Sequence, residues 1–289
     1  TLYVIDKGRH LIGVVSIRAL LFAAPQDIIE DIMDTHSIIF VNTLDDKENV
    51  AMTFEKYNLT ELPVTDTEKR LVGIVTVDDA IDVLQEEATE DIEKMAAITP
   101  SDKPYLKTSA TETFAKRIPW LMILMISATF TGIIISHFES SLGALPILTA
   151  FIPMLMDTGG NSGSQASVTV IRGISLGDIR FRDIFRVISK ELRVALMCGI
   201  ALAATAFAKV YLIDKFIMGK EITLLIAFVI SATLLVTVII AKIVGCTLPL
   251  LAKKIGFDPA VMASPFITTI VDAFSLLIYF WFANMILGL

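Results

Sequence analysis

Pro259–Leu289 reads PAVMASPFITTIVDAFSLLIYFWFANMILGL, and within these 31 residues Asp272 is the lone formally charged side chain. A stretch this apolar is long enough to cross ~30 Å of hydrocarbon as a helix. An ionised carboxylate near the bilayer centre costs ~2.5–3.5 kcal/mol on insertion scales, so a residue of this kind marks a functional site by default. No Lys or Arg shares the segment, which favours an ion pathway over a salt bridge. The alternative is a protonated or hydrogen-bonded Asp in a helix interface.

Working outward, the chain is lopsided. Its 289 residues are 54% hydrophobic with a net charge of −7. Residues 1–117 carry most of the acidic side chains, and 118–289 carry nearly all the long apolar runs. The expectation is a multi-domain protein: an α/β soluble module followed by an all-α membrane domain. Acidic clusters in the soluble half suit cations and exclude nucleic acid as a partner. Cys198 and Cys246 lie in apolar runs and read as small buried hydrophobes.

Five spans are expected, at about 118–138, 145–171, 192–213, 222–250 and 259–287. Lys116 and Arg117 precede the first. The second loop holds Arg172, Arg180, Arg182, Arg186, Lys190 and Arg193, and the fourth holds Lys253 and Lys254. The first loop has no Lys or Arg. The positive-inside rule then places the soluble module and the even-numbered loops in the cytoplasm and the C-terminus outside the cell membrane.

The second span contains Pro146, Pro153 and the polar run Asp157-Thr-Gly-Gly-Asn-Ser-Gly-Ser-Gln165. Irregular or polar backbone at membrane depth is tolerated only where protein or a wet cavity covers it. Two readings stay open: a tight helix-packing seam, or the wall of a permeation path with Asn161 and Gln165 on one helical face. In the last span, Pro265, Thr268, Thr269 and Asp272 form a second polar stripe. Thr268 and Asp272 are one turn apart.

Residues 1–95 repeat with an offset of 60. Leu11–Ser16 (LIGVVS) matches Leu71–Thr76 (LVGIVT), Leu2–Asp6 matches Leu62–Asp66, and Glu30–Ile32 matches Glu90–Ile92. Each unit reads strand, turn, strand, helix, for example Glu61–Thr65, Leu71–Thr76 and Asp78–Glu86. This pattern resembles the cystathionine-β-synthase (CBS) domain, a regulatory fold that works in pairs. The resemblance divides the chain into a partial first CBS domain (1–34), a second (35–86), an acidic connecting or plug helix with its linker (87–117) and a five-helix transmembrane domain (118–289). In many CBS domains the Asp of Gly-x-x-Thr-x-x-Asp, here Asp79, binds a nucleotide ribose, which implies ATP as a ligand. The matching position in the first copy is Ala19. Glu86, Glu87, Glu90, Asp91 and Glu93 follow, with Glu87, Glu90 and Asp91 on one helix face. They read either as a solvated linker helix or as a face whose repulsion a divalent cation would relieve.

Taken together, Pro153–Gln165, Lys190–Arg193, Asp258-Pro-Ala…Asp272…Tyr279 and the run Thr76–Lys94 resemble the MgtE-type magnesium channel and transporter family over essentially the whole chain. The family begins with an acidic helical N domain, so the expectation is a chain truncated at its N-terminus. The resemblance implies a homodimer in the lipid bilayer with a pore on its two-fold axis. It implies pore-lining roles for Gly160, Asn161, Ser264, Thr268 and Asp272. Mg2+ would be both cargo and regulator, with regulatory positions at Asp79, Asp82, Glu87, Glu90 and Asp91. A relative has Asp where Asn58 stands, and Asn and Ala where Ser264 and Thr268 stand.

The expected function is a Mg2+ influx channel under negative feedback by cytosolic Mg2+. An ion-coupled carrier of Mg2+, Co2+ or Mn2+ is the alternative, and a CBS-bearing sensor with no transport is a third reading. No nucleophile–base constellation points to an enzyme. No soft ligand set of Cys with His points to zinc or copper.

Overall fold

The computed structural model describes residues 1–36, 38–101 and 103–288, with Ser264 described in its backbone only. Two compact units are present, Thr1–Glu90 and Asp91–Leu289.

In the first unit, β1 (Leu2–Ile5) pairs antiparallel with β2 (Leu11–Val15), followed by the short helices α1 (Ile17–Phe22) and α2 (Ile29–Ile32). A second sheet orders β3 (Val41–Asn42), β4 (Glu61–Thr65) and β5 (Leu71–Thr76), with α3 (Lys47–Tyr57) between β3 and β4. The offset of 60 seen in the sequence is repeated in the backbone. Leu2 pairs with Val15 as Leu62 pairs with Val75, and the register slips at Val4/Ile5 and again at Val64/Thr65. Arg9 and Lys69 take the left-handed conformation, at φ 67° and 63°. Asp6 and Asp66 stabilise the two turns alike, accepting from the backbone N–H groups of His10 and Arg70 at 2.8 and 2.9 Å. The hairpins also bond to each other reciprocally, Leu11 N–H to the Lys69 carbonyl and Leu71 N–H to that of Arg9. Phe54, Leu62, Val41, Ala51 and Ala80 form the core of the second hairpin's half. Asn58 ends α3 as its left-handed C-cap, a conformation Asn tolerates well.

The sequence predicts a helix over 78–86 after β5, with a separate acidic helix beyond. A single helix, α4 (Val77–Met95), covers both. No Gly or Pro interrupts this run, and its Glu, Gln, Ala and Lys residues are good helix formers. Repulsion among the carboxylates does not break it, because Lys47 faces Glu87 at 3.0 Å and Glu86 at 3.6 Å. The Glu87 carboxylate holds the Lys47 ammonium above the usual lysine range. Ala97, at φ 53°, marks the turn that follows the helix.

The second unit is helical: α5 (Ala110–His137), α6 (Glu139–Ala144), α7 (Ile152–Ser175), α8 (Ile184–Ala208), α9 (Leu224–Lys254) and α10 (Ser264–Leu287). Ser109 caps α5, accepting from the Glu112 N–H. Among the described residues, four segments are long and apolar enough to cross a membrane: α5, Phe181–Ile217, α9, and Pro259–Leu287. The second of these runs from α8 into a π-helical segment, Lys209–Ile217. At ~1.5 Å per residue, α7 is also long enough at ~36 Å, but its run of Gly, Ser, Asn and Gln leaves it outside that apolar set.

The expected span at 145–171 divides in two. Pro146–Phe151 forms a 3-10 turn and α7 starts at Ile152 with Pro153 in its first turn, where a missing N–H costs nothing. The buried Tyr279 hydroxyl of α10 donates to the Leu148 carbonyl at 3.0 Å, fixing that turn on α10. The most buried of the four apolar helices is α9, packed against α7, α8 and α10. Most large apolar side chains of α5 from Leu121 to Ile133 stay exposed, as the bilayer allows of a peripheral span, while Ile134 and Ile135 pack on the helical core.

Candidate functional site: an acidic cavity between α7 and α10

One face of α7 is built for close approach. A Cβ on Gly159 would stand 2.7 Å from Thr237 of α9 and 2.9 Å from Val271 of α10. Gly163 faces Ile267 and the Ala241 carbonyl, and a side chain on Gly245 of α9 would run into the Gly163 backbone. Without a hydrophobic drive between helices in lipid, small residues let backbones pack closely instead. The packing-seam reading of the Gly-rich run therefore holds for this face, with Ser162, Ala166, Ser167 and Val170 buried along it.

The adjoining face of α7 is different. Ile152, Pro153, Met156, Asp157, Gly160 and Asn161 meet Thr268 and Asp272 of α10 around a cavity of ≈ 420 Å³. Gly160 sets the spacing, since a Cβ there would lie 2.9 Å from the Thr268 methyl. The Thr268 hydroxyl donates to the Pro265 carbonyl at 2.9 Å, leaving its oxygen lone pairs for the cavity. Asp272 is half-buried, Asp157 and Asn161 are exposed, and the carboxylate facing Asp272 is that of Asp157. The polar side chains of the lining are oxygen donors and one amide, a set for a hard cation or its water shell.

Of the residues expected at a pore, Gly160, Asn161, Thr268 and Asp272 all line this cavity. The side chain of Ser264 lies outside the described residues. Gln165, one turn past Asn161, does not reach the lining. Asp157 is a lining residue that the sequence reading does not single out. Its signal is a second carboxylate inside an apolar frame, four residues before Asn161 on the same face.

The acidic residues of α4 are placed differently. Asp79 and Asp82 are exposed, while Glu87, Glu90 and Asp91 are half-buried. Asp79, the nucleotide candidate, accepts from the Thr76 hydroxyl at 2.9 Å. Among the described residues no three His, Cys, Asp or Glu side chains converge on a common metal position. The C-terminal turn of α4 meets the ends of the two cavity helices. Ser175, at the end of α7, donates to Asp91 at 2.9 Å, and Lys94 pairs at 2.6 Å with Asp258, just before α10. Met95 packs against Ile171, Ala260 and Ala263.

These features define a class: a helical membrane protein with an acidic cavity between two of its helices, joined to a CBS-type module. Residues 152–282 match the MgtE family, "Divalent cation transporter", and residues 29–86 match the CBS domain. The membrane region of this chain is thus similar to the MgtE family over the residues that match it. The chain is 38% identical over 286 residues to the "Magnesium transporter MgtE" of Thermus thermophilus, covering 99% of this chain and 62% of that protein. It is likewise 38% identical over 287 residues to the protein of that name in Bacillus subtilis, covering 98% and 60%. The chain thus spans about three-fifths of the length of these curated relatives. A solved structure, the soluble part of a magnesium transporter, is 45% identical over 30% of this chain and 33% of its own, with a TM-score of 0.29.

Proposed function

We propose that this chain is a magnesium-selective channel subunit that acts as a homodimer and admits Mg2+ to the cytoplasm through a path containing the α7–α10 cavity. One observation carries the reading. The lone carboxylate of α10 opens into a cavity that also presents Asp157, Asn161 and Thr268, in a region that matches the MgtE family, and both curated relatives above are named magnesium transporters. Mg2+ sheds water reluctantly, prefers octahedral oxygen geometry and is usually held through one or two carboxylates with several waters retained. A wet acidic wall suits such an ion better than a closed cage does. Two copies of Asp272 across a two-fold axis would make a ring from one residue per chain.

No chemical fuel is required. The membrane potential contributes ~2.3 kcal/mol per elementary charge per 100 mV, and so ~4.6 kcal/mol for a divalent cation. The soluble module lies on the cytoplasmic side in this reading. There Mg2+ bridges the acidic face of α4 to the CBS module, and the helix closes the path. The separation of the α4 carboxylates favours a shared, bridging ion over chelation within α4. The join between the end of α4 and the cavity helices supplies the mechanical route. At low cytosolic Mg2+, carboxylate repulsion parts these faces and the path opens.

The test is Mg2+ uptake into liposomes holding the purified dimer, at several internal-facing Mg2+ concentrations, with and without Na+ or proton gradients. Uptake that follows the Mg2+ gradient and potential alone, and declines as cytosolic-side Mg2+ rises, is expected. Dependence on a Na+ or proton gradient would make the protein a coupled carrier. Absence of flux would leave a sensor.

A further inference from the structure

The carboxylates of the spanning helices divide into two groups. Those outside the cavity have cationic partners built into the protein. Glu112 meets Lys103 at 3.1 Å, Asp183 meets Arg186 at 3.6 Å, and Glu191 faces the buried Lys242 of α9 at 3.8 Å. The buried Asp214 is held between Lys209 at 2.7 Å and Lys220 at 3.2 Å. Asp157 and Asp272 have no ion-pair partner among the described residues, and instead they face each other across one cavity. Two like charges placed together at membrane depth repel each other unless a cation joins them. The protein supplies lysine to the little-exposed carboxylates Glu191 and Asp214 and leaves the Asp157–Asp272 pair for a mobile ion.

Size agrees with this. A water molecule takes ~30 Å³, so the six waters of a hydrated divalent cation need ~180 Å³. The ≈ 420 Å³ cavity has room for one such ion with its full shell and for further waters beside it. Asn161, one turn after Asp157, and Thr268, one turn before Asp272, offer oxygens to that shell.

We infer that Asp157 is a second cation-binding carboxylate of the path, holding one hydrated divalent cation jointly with Asp272 in the cavity wall. The inference rests on the reading of this cavity as a cation path and deepens it. Each protomer then contributes two carboxylates from two helices, and the ion's station lies against the protein wall as well as toward a partner's copy. The joint site sets how much Mg2+ is needed to fill the path.

The experiment measures Mg2+ uptake by proteoliposomes of the full chain over a range of external Mg2+. It also measures block by hexaamminecobalt(III), an inert mimic of the hydrated ion. Asp157→Asn is expected to raise half-saturating Mg2+ about tenfold, the size of one lost charge-assisted contact, and to weaken cobalt block in parallel. Asp157→Glu is expected to restore both. Asp157→Ser carries the same expectation as Asp157→Asn should the latter not be recovered folded. Unchanged half-saturation and unchanged block in the neutral variants would overturn the inference. So would an equal defect in Asp157→Glu, which would mark a packing role. Wild-type uptake by Asp272→Asn would instead sink the pore reading itself, so the two failures are distinguishable.

Discussion

Gly245 shows how little freedom the helices around the cavity have. Any side chain there collides with the Gly163 backbone, an obstacle that cannot swing aside as a rotamer could. Gly245→Ala is expected to destabilise the membrane region by the ~1–3 kcal/mol typical of overpacking, seen as a lower unfolding midpoint of the detergent-purified protein. An unchanged midpoint would mean that α7 and α9 tolerate a wider separation than this contact implies. Asp272 stands out as a candidate from its sequence surroundings, because a lone charge among 31 residues of an apolar span is costly to keep. Asp157 does not. It stands beside a Gly-rich run whose two faces do different work, and only packing against α9 and α10 decides which residues turn toward the cavity.

At the scale of elements, the offset of 60 is legible because matching strand and turn residues impose matching geometry, down to left-handed Arg9 and Lys69. The continuity of α4 is harder to see, since repulsion within the acidic run argues for a break that Lys47 offsets. Lys242 is the lone charged side chain between Glu221 and Lys253, a sequence signal of the same kind as Asp272. Its partner Glu191 sits on another helix, so the pair becomes visible only in three dimensions. Neutralising Glu87, Glu90 and Asp91 together is expected to leave uptake running at high cytosolic-side Mg2+. Normal inhibition in that variant would remove α4 from the feedback. The join at the end of α4 gives a second prediction. Lys94→Ala breaks the ion pair to Asp258 and is expected to shift the Mg2+ concentration for half-inhibition several-fold, of the order of a partly buried charge-assisted contact. An unaltered inhibition curve would exclude the pair from coupling.

For the whole molecule, the two units differ in composition and architecture. The first repeats a hairpin-and-helix unit and places carboxylates along an exposed helix. The second encloses a carboxylate-lined cavity among helices suited to lipid. Fold class follows from composition and periodicity, because apolar runs near 20 residues have few stable solutions. The spacing of α7 against α10 does not, because it depends on contacts among glycines and Thr268 far apart in the chain. The central claim is that Asp272 meets the transported ion. The most direct measurement is Mg2+ uptake by proteoliposomes containing Asp272→Ala beside the unaltered protein, at equal reconstitution and a fixed inside-negative potential. Uptake reduced to the leak of empty liposomes is predicted, and uptake at the unaltered rate would contradict the claim.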